Sequence, residues 1–218
     1  MAKDPRQRQK AAEKRKKREI EIREQKARQR SASENTGLSE LLANASDYPV
    51  FECVISEGWR ERGLAHILLA RTLPDGKLLV GGWYVDTLCL GIKDAAVLPG
   101  LAPEDYQSRV KPNIFHDTVV FEPCEPGLAR KITEGAARFA ERYTFKPSKR
   151  WPESRLLFAG IPESSETVEF GRESKPCYVN RGESNAAGII ARLARNAPEG
   201  GYLVVKEEKT AAGAEQSR

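Results

Sequence analysis

The first thirty residues of this chain carry almost none of the apolar side chains that a protein core needs. They contain 13 Lys and Arg and five Asp and Glu, a local net charge of +8, whereas the remaining residues hold 23 Lys and Arg and 26 Asp and Glu. Because folding is driven mainly by the burial of apolar surface, such a segment cannot build a core. The folded part of this 218-residue chain must therefore lie within residues 31–218.

Residues 1–30 nevertheless have a strong intrinsic preference for helix. Beyond Pro5 they contain neither Gly nor Pro, and acidic residues stand four positions before basic ones, as Glu13 does before Lys17. Their few apolar residues do not form a stripe wide enough to dock on a core. The pattern predicts a basic, solvent-exposed helical arm. Its candidate nucleic-acid-binding residues are Lys10, Lys14, Arg15, Lys16, Lys17, Arg18, Arg23, Lys26, Arg28 and Arg30.

A cation-dense arm on a mildly acidic body is typical of an interaction segment. Cations that bind phosphates release condensed counterions, so such an arm attracts any nucleic acid, and most strongly at low salt. We expect RNA or a ribosome as the partner in preference to duplex DNA. We expect no membrane contact, because no Trp, Phe or Leu face accompanies the cations. A merely solubilising arm on a protein-interaction domain is an open alternative.

The apolar segments and the cysteines indicate the compartment. No apolar run approaches the roughly 20 residues that span a bilayer, and the N-terminus lacks the apolar stretch of a signal peptide. The four cysteines are widely spaced and form no CxxC pair. This spacing argues against a disulfide framework and against structural zinc. We therefore expect a cytoplasmic protein, and the pattern implies no cofactor.

Hydrophobic patterning places the first strands after a short linker. Residues 31–47 are interpreted as a polar linker followed by a brief helix, Leu38–Ala45. Leu64–Thr72 and Leu78–Val85 flank a Pro-Asp-Gly turn and predict an antiparallel hairpin. The Gly81–Gly82 pair inside this hairpin indicates a bulge or a place where another backbone or a ligand approaches closely. Further strand candidates are Val50–Ile55, Thr118–Phe121 and Tyr202–Val205.

Two amphipathic helices are predicted in the second half of the chain. Pro126–Tyr143 and Ala186–Ala197 carry apolar residues at helical spacing, and Ser184 is a candidate N-cap for the second helix. Between them, Thr167–Phe170 and Cys177–Val179 bracket a short loop and predict a second hairpin.

The order of these elements shows no regular alternation of strand and helix. The predicted fold class is therefore α+β, with a mainly antiparallel sheet and two packed amphipathic helices, preceded by the basic arm. The predicted organisation is a basic helical arm at 1–30, a linker and short helix at 31–47, and a globular domain at 48–205. A candidate sub-boundary lies at 150–165, and residues 206–218 are expected to be a disordered tail.

Three segments resemble a bacterial protein family whose members are uncharacterised: Val85–Asp94, Glu134–Pro147 and Glu169–Leu193. The family pattern is an apolar hairpin, a Val-Asp…Cys-Leu-Gly-Val-Lys-Asp stretch and a helix that ends in Phe-Lys-Pro. This chain has Ile92 at the Val position of that stretch. The resemblance covers the predicted globular domain and omits the arm. It implies a coherent domain and brings no activity, cofactor or site residue with it.

Asp86 and Asp94 flank Cys89 just beyond the third predicted strand, and His116 and Asp117 add an imidazole and another carboxylate. Hard cations need oxygen donors that converge from rigid elements, so these Asp and His residues are candidate ligands of a metal-dependent nuclease or hydrolase. No spacing rule connects them, and an Asp near a turn usually caps the backbone. The leading hypothesis is therefore a non-enzymatic module, with metal-dependent catalysis as the alternative.

Two tryptophans are candidates for stacking on nucleic-acid bases. Trp59 lies between two arginines, and Trp151 follows a short basic run that begins at Lys146. For Trp59, covering the edge of the core is the favoured interpretation. Cys89 stands between two leucines and is expected to be a small buried hydrophobic residue rather than a nucleophile paired with His116.

Overall fold

A computed structural model describes residues 37–115, 119–198 and 200–206. The predicted arm, the candidate ligands His116 and Asp117, and the predicted tail beyond residue 206 lie outside these described residues. The chain divides into two compact units, Met1–Ala43 and Asn44–Arg218. The described part of the first unit is one helix, residues 37–43 (α1), where the sequence predicts a brief helix.

The second unit is built on a five-stranded antiparallel sheet with the strand order β4-β3-β2-β1-β5. The predicted hairpin is confirmed, because β2 and β3 pair in unbroken register from Leu64 opposite Asp86 to Thr72 opposite Leu78. Its turn contains Gly76, whose φ of +80° is the left-handed conformation that Gly adopts without steric cost. The five strands are β1 (Val50–Ser56), β2 (Leu64–Thr72), β3 (Leu78–Asp86), β4 (Gly91–Leu101) and β5 (Phe121–Pro123).

The Gly81–Gly82 pair is not a bulge in the β2–β3 pairing, and the groups that approach it are side chains rather than another backbone or a ligand. The pairing of β2 with β3 passes through both glycines without interruption. A Cβ on Gly81 would lie 2.4 Å from the ring of Trp83, and a Cβ on Gly82 would lie 3.0 Å from Ile114. The glycines therefore make room for two large side chains, one from the same strand and one from the segment that follows β4.

A long helix and the segment that follows β4 both pack against the sheet. A long helix, α4 (Pro126–Glu141), packs against β4, β3 and β1. Its first turn is capped by Glu125, whose carboxylate accepts hydrogen bonds from the amides of Gly127 and Leu128. The segment after β4 supplies buried Tyr106, which packs in an apolar cluster with side chains of β1, β2 and β3. The short helices are α2 (Trp59–Arg62), α3 (Pro103–Asp105) and α5 (Trp151–Ser154).

The C-terminal part forms a β-α-β unit instead of the predicted second hairpin. Strand β6 (Cys177–Asn180) pairs in parallel with β7 (Leu203–Lys206), and α6 (Ala186–Asn196) connects them. The hairpin prediction is wrong, because residues 167–170 form no strand. Phe170 instead packs its ring on Phe139 of α4, with the centroids 6.2 Å apart.

The β-α-β unit is attached to the main sheet through apolar packing. Tyr178 of β6 and Leu193 of α6 form a buried cluster with Cys89 and Ala140. The N-cap of α6 is Asn185 rather than the predicted Ser184. This packing places one side of α6 against the C-terminal end of α4 and leaves its other side exposed to solvent.

Candidate anion-binding cleft

A cleft of about 970 Å³ lies between α6, the loop that follows α4, and the first residues of β4. Among the described residues that line it there are five cations and no Asp or Glu. The cations are Lys93, Lys146, Lys149, Arg192 and Arg195. Because this body of the protein is mildly acidic overall, the local excess of positive charge marks the cleft as a candidate anion-binding site.

Helix α6 supplies two of the cations because of its amphipathic spacing. Leu193 is fully buried, whereas Arg192 and Arg195 are exposed and stand three positions apart, so they share one side of the helix. The guanidinium of Arg192 lies 5.3 Å from the centre of the Phe145 ring, and its Nη1 is 3.5 Å from the carbonyl oxygen of Thr144. These contacts position Arg192 at the wall of the cleft.

The loop that follows α4 supplies two more cations from a constrained backbone. Thr144 has a φ of +67°, a left-handed conformation that is costly for a β-branched residue. The amide of Phe145 donates to the carbonyl of Ala140, which closes the end of the helix. The amide of Ser148 donates to the carbonyl of Ile92 in β4 at 2.9 Å. The left-handed residue therefore ends α4, and the hydrogen bond to Ile92 holds the loop against β4.

Lys93 connects the cleft to a partly buried carboxylate outside it. Its Nζ lies 3.0 Å from Oε1 of Glu183, whose Oε2 accepts hydrogen bonds from the Tyr178 hydroxyl and the Arg181 amide. Burial alone would raise the pKa of Glu183, but the hydrogen bonds from Lys93 and the Arg181 amide outweigh it and lower the pKa to about 2. Glu183 is therefore ionised at neutral pH and compensates one of the five cations.

The two described candidate metal ligands have other partners. Asp86 is 2% exposed, and its Oδ1 accepts hydrogen bonds from the amides of Leu88 and Cys89 at 2.9 and 2.8 Å, which caps the turn between β3 and β4. Burial raises the pKa of Asp86. Asp94 is exposed and accepts from the amide of Ala95. Among the described residues, no group of three or more His, Cys, Asp or Glu could hold a metal ion.

The candidate aromatic and nucleophilic residues are buried. Trp59 is 5% exposed, with the Arg60 guanidinium 4.2 Å from its ring centre, and Trp151 is 6% exposed. A base could stack on either ring only after a rearrangement. Cys89 is completely buried, and burial raises the pKa of its thiol, so it lacks the access and the thiolate character of a nucleophile.

The local sequence indicates only part of the cleft. Lys146 and Lys149 belong to the short basic run that precedes Trp151, whereas no local pattern distinguishes Lys93 or the two arginines of α6 from other surface cations. The one signal for the arginines is that they lie off the apolar face of an amphipathic helix whose buried residue is Leu193. Two exposed arginines on a helix indicate a binding site only once α6 is known to lie beside the loop that follows α4.

Comparison with known proteins finds no matching family model, no matching curated protein and no matching solved structure. In the described part of the chain, no helix has the length and apolar character needed to cross a membrane. The function must therefore be inferred from the geometry and charge of the cleft.

Proposed function

We propose that this protein is a non-enzymatic nucleic-acid-binding module that holds the phosphate backbone of RNA in the basic cleft. In this proposal the basic N-terminal arm adds a second set of phosphate contacts. The observation that carries the proposal is the presence of five cations, without a carboxylate, among the described residues lining one cleft. Cations grouped in this way neutralise neighbouring phosphates and release their counterions.

The lining of the cleft favours recognition of phosphates over recognition of bases. Its aromatic residue, Phe145, is 6% exposed and already lies beneath the Arg192 guanidinium, so it offers no free ring face. Base stacking on exposed aromatic rings is the usual way to hold unpaired bases. Contacts to phosphates carry no direct sequence information. The expected binding is therefore strong at low salt and nearly independent of sequence.

The size of the cleft supports a ligand larger than a single phosphate group. About 970 Å³ is at the upper end of the range typical of small-molecule sites. Lys149 lies in the loop that follows α4 and Arg195 lies in α6, so cations from two separate elements can contact several phosphates along one strand. No specific observation favours the alternative of metal-dependent catalysis, since Asp86 already accepts two backbone hydrogen bonds.

The test compares two triple variants of the full chain. The cleft variant is Lys146→Gln/Lys149→Gln/Arg192→Gln, and the control variant is Lys77→Gln/Arg109→Gln/Arg172→Gln. All six residues are exposed, and the control residues lie outside the cleft. Both variants lose three positive charges, so a difference between them reports location rather than net charge.

Binding is measured by fluorescence anisotropy with a short labelled single-stranded RNA of mixed sequence. The cleft variant is expected to bind about tenfold to 100-fold more weakly at about 0.1 M salt, because three phosphate contacts are lost. The control variant is expected to lose only the small effect of net charge. Equal weakening of both variants, or no binding by the unmodified chain at low salt, would overturn the proposal.

A further inference from the structure

Two cysteines that the binding cleft does not use face each other across the edge of the main sheet. Strands β1 and β5 are antiparallel, with Val54 opposite Pro123. The same register continued by one step places Cys124 opposite Cys53, and the Cys124 amide donates to the Cys53 carbonyl oxygen at 3.0 Å. Opposed residues of antiparallel strands have Cα atoms about 4.5–5.5 Å apart. This separation lies within the range of disulfide bonds, about 4.4–6.8 Å.

The two side chains project to the same face of the sheet, because they belong to directly opposed residues of antiparallel strands, and each thiol shifts the pKa of the other. Cys53 is 8% exposed, whereas Cys124 is only partly buried. A small oxidant can therefore reach the sulfur of Cys124 first, and the sulfur of Cys53 is already in place to react next.

Cys124 stands immediately before Glu125, the N-cap of α4, and its thiol donates to the carbonyl oxygen of Glu125 at 3.4 Å. The neighbouring Cys53 thiol and, to a smaller extent, the amide of Ala129 in the first turn of α4 lower the pKa of Cys124, and together they outweigh burial and the Glu125 carboxylate, which raise it. The same thiol pair and burial raise the pKa of Cys53. Cys124 is the more exposed of the two thiols and the one with the lowered pKa, so it is the reactive partner of the pair.

We propose that Cys53 and Cys124 are a redox-active dithiol, which hydrogen peroxide oxidises to a disulfide that joins β1 to the start of α4. This modification site is independent of the proposed nucleic-acid binding, and neither cysteine lines the cleft. Oxidation covalently fixes the short edge strand β5 to its neighbour in the sheet.

The reaction balances in two steps. The Cys124 thiolate attacks one peroxide oxygen, so that an S–O bond forms, the O–O bond breaks, and the departing hydroxide takes up a proton to become water. Cys53 then attacks the sulfenic sulfur of Cys124; the S–S bond forms, the S–O bond breaks, and hydroxide leaves with the Cys53 proton as a second water. The two thiols lose two electrons and two protons, and one peroxide is reduced to two waters.

The other two cysteines provide an internal control. Cys89 and Cys177 are both completely buried, and burial raises the pKa of each thiol. Neither has the exposure or the thiolate character that attack on peroxide requires. Oxidation of the folded protein is therefore expected to consume two of its four thiols.

The experiment treats the folded, full-length protein with hydrogen peroxide, blocks the remaining thiols with an alkylating reagent under denaturing conditions, and maps the peptides by mass spectrometry. The expected product is one Cys53–Cys124 cross-link with Cys89 and Cys177 alkylated, and a dithiol reductant restores four titratable thiols. The Cys53→Ser variant should instead accumulate a Cys124 sulfenic acid that dimedone traps, and Cys124→Ser should leave its three thiols reduced.

Either of two results on the unmodified protein would overturn this inference, whatever the behaviour of the variants. One is the persistence of four free thiols under conditions that oxidise a solvent-exposed control thiol. The other is a cross-link between Cys89 and Cys177 that forms in preference to the one between Cys53 and Cys124.

Discussion

Single polar side chains connect distant parts of this fold, and Arg71 is the clearest case. It is 3% exposed, and its guanidinium donates to the carbonyl oxygens of Leu157, Tyr48 and Ala159 at 2.8, 2.6 and 2.6 Å. Burial lowers the pKa of Arg71. Arg71 stands near the end of an apolar strand, and the residues next to it in sequence do not indicate which three carbonyl groups it binds. A buried cation of this kind becomes recognisable only when the segments around it are assembled.

Glu183 gives a prediction about pH at the same scale. Its pKa in the folded protein is about 2, below its ordinary value of 4.5. A lowered carboxyl pKa contributes stability above pH 4.5, and this contribution is lost as the pH falls through about 2. We therefore expect unmodified protein to be more stable than Glu183→Gln by about 2–3 kcal/mol near neutral pH, with the difference shrinking towards pH 2.

Urea denaturation of both proteins between pH 7 and pH 2 measures this difference. The matched control is Glu163→Gln, which removes a surface carboxylate 3.5 Å from Arg138. Its effect on the free energy of unfolding near neutral pH is expected to stay below about 1 kcal/mol. A pH-independent difference between unmodified protein and Glu183→Gln would contradict the geometry described for the Lys93–Glu183 pair.

The elements of this fold were predictable where their partners are near in sequence. The β2–β3 hairpin carries its own turn signal, and α4 shows its apolar periodicity together with Pro126 in its first turn. The second hairpin prediction failed because strand pairing is non-local: β6 pairs with β7, beyond α6, rather than with the preceding residues 167–170. Local patterning contains no information that distinguishes these two partners.

The contact between α4 and the start of β4 gives a prediction at the scale of elements. Gly91 has a φ of +70°, and a Cβ there would lie 2.7 Å from the Cβ of Ala140 and 3.0 Å from the carbonyl oxygen of Ala136. We expect Gly91→Ala to lower the free energy of unfolding by about 2–4 kcal/mol, because it adds a left-handed alanine and a steric clash with α4.

The control for this variant is Gly76→Ala in the β2–β3 turn. Gly76 has a φ of +80°, but no atom lies within 4 Å of the position that a Cβ would occupy there, so the substitution isolates the conformational cost. Chemical denaturation should give a loss of about 1–2 kcal/mol for Gly76→Ala. Equal losses for the two variants would show that α4 does not pack closely on Gly91.

At the scale of the whole molecule, positive charge is concentrated in the N-terminal arm, which the sequence shows, and in the cleft, which the structure shows. Residues 1–30 hold a net charge of +8 within a chain whose total is +5. The cleft was not predictable as a site, because Lys93, the loop that follows α4 and α6 are far apart in sequence and meet only in the folded chain. The proposed function requires that both sets of cations contact the same nucleic acid.

The salt dependence of RNA binding tests this central claim most directly. The measurement is the slope of log Kd against log salt concentration for the full chain, the cleft variant, and an arm variant in which Lys14, Arg15, Lys16, Lys17 and Arg18 become Gln. Each lost phosphate contact on a single strand lowers the slope by about 0.7. We predict a decrease of about 2 for the cleft variant and about 3.5 for the arm variant, with the two decreases adding when the variants are combined. An unchanged slope for the cleft variant would contradict the proposed role of the cleft.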